Sequence, residues 1–243
     1  MKEVYFFILF SLCIILPVFP LSLEDVQKDY IQGDYQGALA KASRLKKTDE
    51  VLYLLGLVHS RIGEYDLARD NFRNLISKFE NSSLRSQARV KLADTYFLTK
   101  SYDMAESIYN DILIKSITIE EKPLIYLRLA QISARRGNWN EKNKYLTLIK
   151  QEYPNSPEMK YVSSLEEMGD FFTIQVGAFT IKKNALALVD ELEGQDYSAR
   201  IEVDDKGSYP IYRVRVGRFK KRYDVEKAHE SLADNSYPAH IYP

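Results

Sequence analysis

The 243-residue chain has one cysteine, three histidines and no excess of either charge, with 34 basic and 34 acidic side chains. Each scarcity excludes a class. Cys13 alone permits no intrachain disulfide and no cysteine-based metal cluster. His59, His229 and His240 are too widely separated to form a metal-ligand spacing such as H-x-x-x-H. A net charge of zero argues against a broad electrostatic partner such as duplex nucleic acid, which wants a clearly basic surface. No Ser-His-Asp or Cys-His constellation is visible, and no paired acids can be placed across a cleft for glycan cleavage. The chain therefore reads as a non-enzyme with no catalytic residue, no metal site and no cofactor.

The only long apolar run lies at the start, from Val4 to Phe19, broken by Ser11 and Pro17. Lys2 precedes it and Glu24-Asp25 follow, the order of a secretory signal. The run is long for a signal core and short for a secure membrane span. No A-x-A site is present, and Ser22 is the small residue available before cleavage. Cys13 invites a lipoprotein reading, but Leu12 stands where a small residue is required and Ile14-Ile15-Leu16 prolong the apolar run. A cleaved signal is the first reading of residues 1–22 and an uncleaved anchor the second. In both, the rest of the chain is exported to the periplasm or cell envelope.

From Leu23 to Pro157 apolar residues recur at three- and four-residue spacing, which is helical. Leu55-Gly56, Leu92-Ala93 and Leu129-Ala130 are successive steps of thirty-seven residues. Nine residues after each comes an aromatic: Tyr65, Tyr102 and Trp139. Ala68 and Ala105 follow, then Phe72 and Tyr109; a shorter first unit carries Gly33-Asp34-Tyr35 and Ala38. Small residues at 56, 93 and 130 predict close approach of two helices within a hairpin, and the aromatic is expected to open the second helix. One hairpin cannot bury its apolar stripe alone, so neighbours must stack. These positions resemble the tetratricopeptide repeat, which implies a scaffold that holds a partner protein. Lys142 stands where the small alanine belongs, so the fourth unit is expected to be degenerate or terminal. Solenoid packing accounts for every aromatic named. A closing helix is expected over residues 157–168, then a hinge at Gly169-Asp170.

Residues 174–201 return as 214–241, forty positions on. Val176-Gly177-x-Phe179 matches Val216-Gly217-x-Phe219, and Tyr197-x-Ala199-x-Ile201 matches Tyr237-x-Ala239-x-Ile241. Each copy reads strand, helix, strand. Alternation puts Ile174, Val176, Tyr212, Val214 and Val216 under helices over 182–193 and 221–233. The opposite face is left with Thr173, Gln175, Gly177, Arg200, Ile211, Arg213, Arg215, His240 and Tyr242. In a split β-α-β fold the first and third strands are central neighbours, so Gln175 and Arg213 are expected side by side. An amide next to a guanidinium suits the hydroxyl and acetamido groups of a sugar chain. Gly177 and Gly217 are expected where strand ends bend into loops.

Phe172-Thr-Ile-Gln-Val-Gly-Ala-Phe179, Asn184-Ala185 and Tyr212-Arg-Val-Arg-Val-Gly-x-Phe219 resemble the SPOR domain. The resemblance implies binding of peptidoglycan, with preference for glycan strands stripped of stem peptides, through the open sheet face. On that likeness the sheet-face glutamine is Gln175, the nearby small residue Ala178 and the third-strand arginine Arg213. Ile211 stands where an aromatic is often found, leaving Tyr209 or Tyr242 to replace it. Arg215, Arg200 and Tyr242 share the face and complete the candidate site.

The fold class expected is a helical-hairpin solenoid followed by a βαββαβ split-βαβ domain of ferredoxin or RNP-like type. Its parts are residues 1–22 as signal or anchor, 23–157 as repeats, 158–170 as capping helix and linker, and 171–243 as the SPOR domain. The same sheet topology serves single-stranded RNA, but that use needs aromatics where Thr173, Gln175, Ile211, Arg213 and Arg215 stand. The functional expectation is an envelope protein that binds glycan strands of peptidoglycan and holds an envelope protein on its repeats. Wall remodelling, cell division and envelope assembly are the processes it would suit. The alternative is a protein–protein adaptor in which the repeats carry the function.

Overall fold

The computed structural model describes residues 21–115, 120–205 and 207–243. Cys13 and nearly all of the signal or anchor reading of residues 1–22 lie outside the described residues, as does Lys206. Among the described residues no helix is long and apolar enough to cross a membrane. The chain forms two compact units that divide after Leu84.

The first unit contains two helical hairpins. α1 (Leu23–Gln32) turns into α2 (Tyr35–Arg44), and α3 (Asp49–Arg61) into α4 (Tyr65–Lys78). Ser22 and Asp25 form a reciprocal capping box on α1, and the Asp34 carboxylate accepts from the Gly37 N–H at the start of α2. Val26, Ala38, Ala42, Val51, Leu54, Leu55 and Val58 form the core between the helices. Gly56 is small for the reason its spacing implied: a methyl group there would overlap the buried Phe72 ring.

The second unit repeats the pattern with α5 (Arg85–Leu98) and α6 (Tyr102–Ile114), then α7 (Lys122–Arg136) and α8 (Trp139–Glu152). Tyr35, Tyr65, Tyr102 and Trp139 are the first residues of α2, α4, α6 and α8, as expected. Ala93, Ala105 and Ala130 are fully buried between helices. A single helix, α9 (Met159–Glu167), closes the array.

The sheet domain follows as β1 (Phe172–Phe179), α10 (Lys182–Glu193), β2 (Ala199–Asp204), β3 (Ile211–Phe219), α11 (Arg222–Asp234) and β4 (His240–Tyr242). The strand order is β2-β3-β1-β4 with every neighbour antiparallel, so β1 and β3 are the central pair. Ala185, Leu192, Val225 and Leu232 of the two helices bury Phe172, Ile174, Val176, Val214 and Val216 on one face. The other face carries Gln175, Arg213 and Arg215, and the end of α9 borders it.

Two residues at the junction differ from the solenoid expectation. The Trp139 ring lies 5.0 Å from Phe172 of β1, and its indole N–H donates to the Lys220 carbonyl at 3.0 Å. Trp139 thus packs on the sheet domain. Lys142, 2% exposed, donates to the Gly169 carbonyl at 2.9 Å and pairs with Asp170 at 2.6 Å. Its unit is an intact hairpin, with Leu146 and Ile149 buried against Leu127 and Ala130. The lysine replaces alanine because it holds the linker. Burial pushes the Asp170 carboxyl up, but hydrogen bonds from Lys142 and Asn143 and the charges of Lys142 and Lys220 outweigh it and hold the group below the usual carboxylate range.

Two predictions follow from this packing. Gly56→Ala gains about 1 kcal/mol of helix propensity and loses about 1–3 kcal/mol to overpacking against Phe72, so the denaturant midpoint should fall. Because the folded pKa of Asp170 is depressed, its stabilisation is present above about pH 4 and is lost as pH falls through the lower folded value. Asp170→Asn should cost about 1–3 kcal/mol at neutral pH and flatten the acid limb of the stability curve.

Candidate functional site

The open face of the sheet is built on β1 and β3 and carries two bulges that alternation alone does not show. Across the central pair, Gln175 faces Arg215, Gly177 faces Val214, Ala178 faces Arg213 and Phe179 faces Tyr212. One extra residue of β1 is accommodated between Gln175 and Gly177, and one of β3 between Val216 and Phe219. Both irregularities fall on the Val-Gly of the internal repeat. The consequence is a correction. Gly177 belongs to the helix-covered side, where a methyl group would lie 2.7 Å from the Phe179 ring and 2.9 Å from Leu188. Both glycines lie within their strands, and Gly217 adopts a left-handed φ of 68°.

The shifted register also changes the expected amide–guanidinium pair. Arg215 is the residue directly across from Gln175, and Arg213 is across from Ala178. The Gln175 Oε1 and the Arg215 Nη1 are both buried without a hydrogen-bond partner. A buried polar atom left unpaired costs on the order of 1–3 kcal/mol. Tyr242 of β4 lies over Arg215, its ring centroid 4.4 Å from the guanidinium carbon.

Carboxylates that the sequence reading passed over hold the arginines. Arg213 pairs with Asp204 at 2.7 Å, and Arg215 with Glu202 at 3.0 Å. The alternation Arg200-x-Glu202-x-Asp204 along β2 was the available signal. Asp204 is the last residue of the strand. Arg200 is committed internally: it donates to the Gly217 carbonyl at 2.9 Å and to the Thr173 hydroxyl at 3.4 Å. Thr173 itself is buried, donating to the Val216 and Gly217 carbonyls. Ile211 is half-buried, Ala178 exposed, and Tyr209 exposed in the loop before β3.

Above this face lies a cleft of about 370 Å³. Its floor includes Thr173, Arg213, Arg215 and Tyr242, and its far wall includes Glu167 and Met168 at the end of α9. Gln175, Ala178, Ile211 and Arg200 do not line it. The cleft thus brings together three of the seven candidate residues and adds a wall from the helical array. Among the described residues no group of three or more His, Cys, Asp or Glu is placed to hold a metal ion.

A sheet domain with one face covered and one open, preceded by helical hairpins, is a binding architecture. Residues 169–242 match the family model of the SPOR domain, and residues 50–82 and 125–156 match that of the tetratricopeptide repeat. The chain carries a SPOR domain preceded by tetratricopeptide repeats. SPOR domains bind peptidoglycan and tetratricopeptide repeats mediate protein interactions, which sets the general kind of function. No curated protein matches the chain. Among solved structures, that of PilF of Pseudomonas aeruginosa is 16% identical with a TM-score of 0.44, over 57% of this chain and 63% of that one. The chain therefore spans less than two thirds of that structure. A structure of MamA (AMB-1) is also 16% identical, with a TM-score of 0.45, over 71% of this chain and 88% of that one.

Gly217→Ala should destabilise the sheet domain by about 1–3 kcal/mol, since the methyl group meets the Phe219 ring and the backbone is left-handed. Thermal unfolding of the variant measures the loss.

Proposed function

We propose that this is an exported, non-catalytic protein of the cell envelope that docks on the glycan strands of peptidoglycan through the open face of its SPOR domain. Its tetratricopeptide repeats hold a partner protein at the wall. A role in wall remodelling, division or envelope assembly fits this arrangement. Residues 1–22 act as the export signal or anchor.

The observation that carries the reading is the central strand pair of the open face. Gln175 and Arg215 sit opposite each other, each with an unpaired buried polar atom, and Arg215 lies against the Tyr242 ring and lines the cleft. An amide and a guanidinium offer donors and an acceptor to hydroxyl and acetamido groups, and Tyr242 offers an apolar face to a pyranose ring. The ion pairs to Glu202 and Asp204 fix the arginine heads in place, so orientation is settled before a ligand arrives. Neutralised arginines also make the face a poor nonspecific anion binder, which favours recognition by hydrogen-bond geometry.

Sedimentation with amidase-treated sacculi tests it. Gln175→Ala with Arg215→Ala should weaken binding by about 2–4 kcal/mol, on the basis of about 1–3 kcal/mol for each lost amide or charged hydrogen bond. Circular dichroism should stay that of the wild type. A double variant that sediments as well as wild type would sink the reading and leave the adaptor alternative.

A further inference from the structure

A second cleft, of about 640 Å³, adjoins the first and has the opposite electrostatic character. Lys100 and Tyr102 reach it from the α5–α6 turn, Arg135 and Arg136 from the end of α7, and Arg222 from the start of α11. Tyr242 and Pro243 line both clefts, so the two are continuous at the β4 edge. No Asp or Glu side chain lines the second cleft. The first is lined by Glu167, Glu202, Asp204 and Asp205 against Arg213 and Arg215. An anionic group on a ligand spanning both would be drawn to the second.

Two of the four cations are already neutralised. Arg136 pairs with Asp103 and Glu106, and Arg222 with Glu226. Lys100 and Arg135 pair with no carboxylate among the described residues. Arg135 is nonetheless held in place. It donates to the Gln131 carbonyl at 3.2 Å, and its guanidinium carbon lies 5.3 Å from the Phe97 ring centroid and 5.6 Å from that of Tyr102. A stacked guanidinium with spare N–H groups is pre-organised for a carboxylate or phosphate. Its place at the end of α7 also suits the helix dipole, so Arg135 alone would prove little.

Lys100 supplies the second, independent observation. Gly63, Lys100 and Gly137 are successive steps of thirty-seven residues, the same turn in three hairpins. All three adopt a left-handed backbone, with φ of 84°, 61° and 77°. Glycine takes that conformation without cost, and a lysine does not. At a turn that borders the cleft the repeat thus carries a lysine where two neighbouring hairpins carry glycine.

We infer that this junction cleft binds carboxylate groups borne by the glycan strand whose sugars lie on the sheet face, with Lys100 and Arg135 as the charged contacts and Tyr102 and Tyr242 as flanking rings. The inference rests on the sheet-face reading. It deepens it chemically: removal of stem peptides hydrolyses an amide and leaves a free carboxylate on the sugar's acyl side chain. A strand so treated is a polyanion, which the carboxylate-lined sheet-face cleft does not attract and the basic cleft does.

The test uses the full chain and amidase-treated sacculi. Lys100→Gly with Arg135→Gln should bind about tenfold more weakly, the scale of one or two charge-assisted contacts. Lys100→Gly by itself should bind more weakly while its unfolding midpoint rises, because glycine relieves the backbone; a merely structural lysine would not separate the two readouts. Blocking the carboxylates by amide coupling should weaken wild type by a similar factor and leave the double variant unaffected. Removing wall phosphates with hydrofluoric acid should change nothing; a loss there reassigns the anion to phosphate and overturns the carboxylate assignment. Unchanged binding by the double variant also overturns the inference and leaves the cleft to an acidic protein segment. If Gln175→Ala with Arg215→Ala is the variant that binds normally, the sheet-face reading is what has failed.

Discussion

A buried ammonium ties the last helical hairpin to the sheet domain. Taking Lys142 out of water costs several kcal/mol unless its donors are met. They are met by the Leu165 carbonyl near the end of α9 and by the Gly169 carbonyl and Asp170 carboxylate in the linker just ahead of β1. Those contacts decide where β1 begins, and so bring Phe172 against Trp139 and Lys220 to the indole N–H. The end of α9 is left beside the open face, and the α5–α6 turn beside β4. Both clefts of the second unit depend on that one geometry.

The two clefts differ in electrostatic character. On the sheet face Arg213 and Arg215 each have a carboxylate partner, while Gln175 and Arg215 each keep one unpaired polar atom. In the junction cleft two cations remain uncompensated, and attraction falls off over a Debye length of about 8 Å at physiological salt. The SPOR domain packs on the hairpin that precedes it through Trp139, and Lys142 of the same hairpin holds the linker between them.

Much of the fold was legible because period is a local property. The thirty-seven-residue step located α3 to α8, and the aromatics at 65, 102 and 139 marked the first residue of each second helix. The forty-residue repeat located the strands and helices of the sheet domain, and alternation found the covered core of Ile174, Val176, Val214 and Val216. The site was less legible. Alternation assumes an unbroken pleat, and the two Val-Gly bulges break it, which moved Gly177 to the covered side and put Arg215 in the place expected for Arg213. Glu202 and Asp204 were visible as residues, but their role depended on the diagonal pairing of β2 with β3.

The sequence by itself determined the helical hairpins, the strand–helix–strand copies, the family likenesses and the composition of the open face. Periodicity and binary pattern are written residue by residue along the chain. Only the tertiary structure decided that Lys142 is a buried clamp, that Trp139 serves the sheet and that Lys100 meets Arg135 at a shared cleft. Those meetings join residues tens of positions apart, whose approach is set by packing and register and leaves no trace in local spacing.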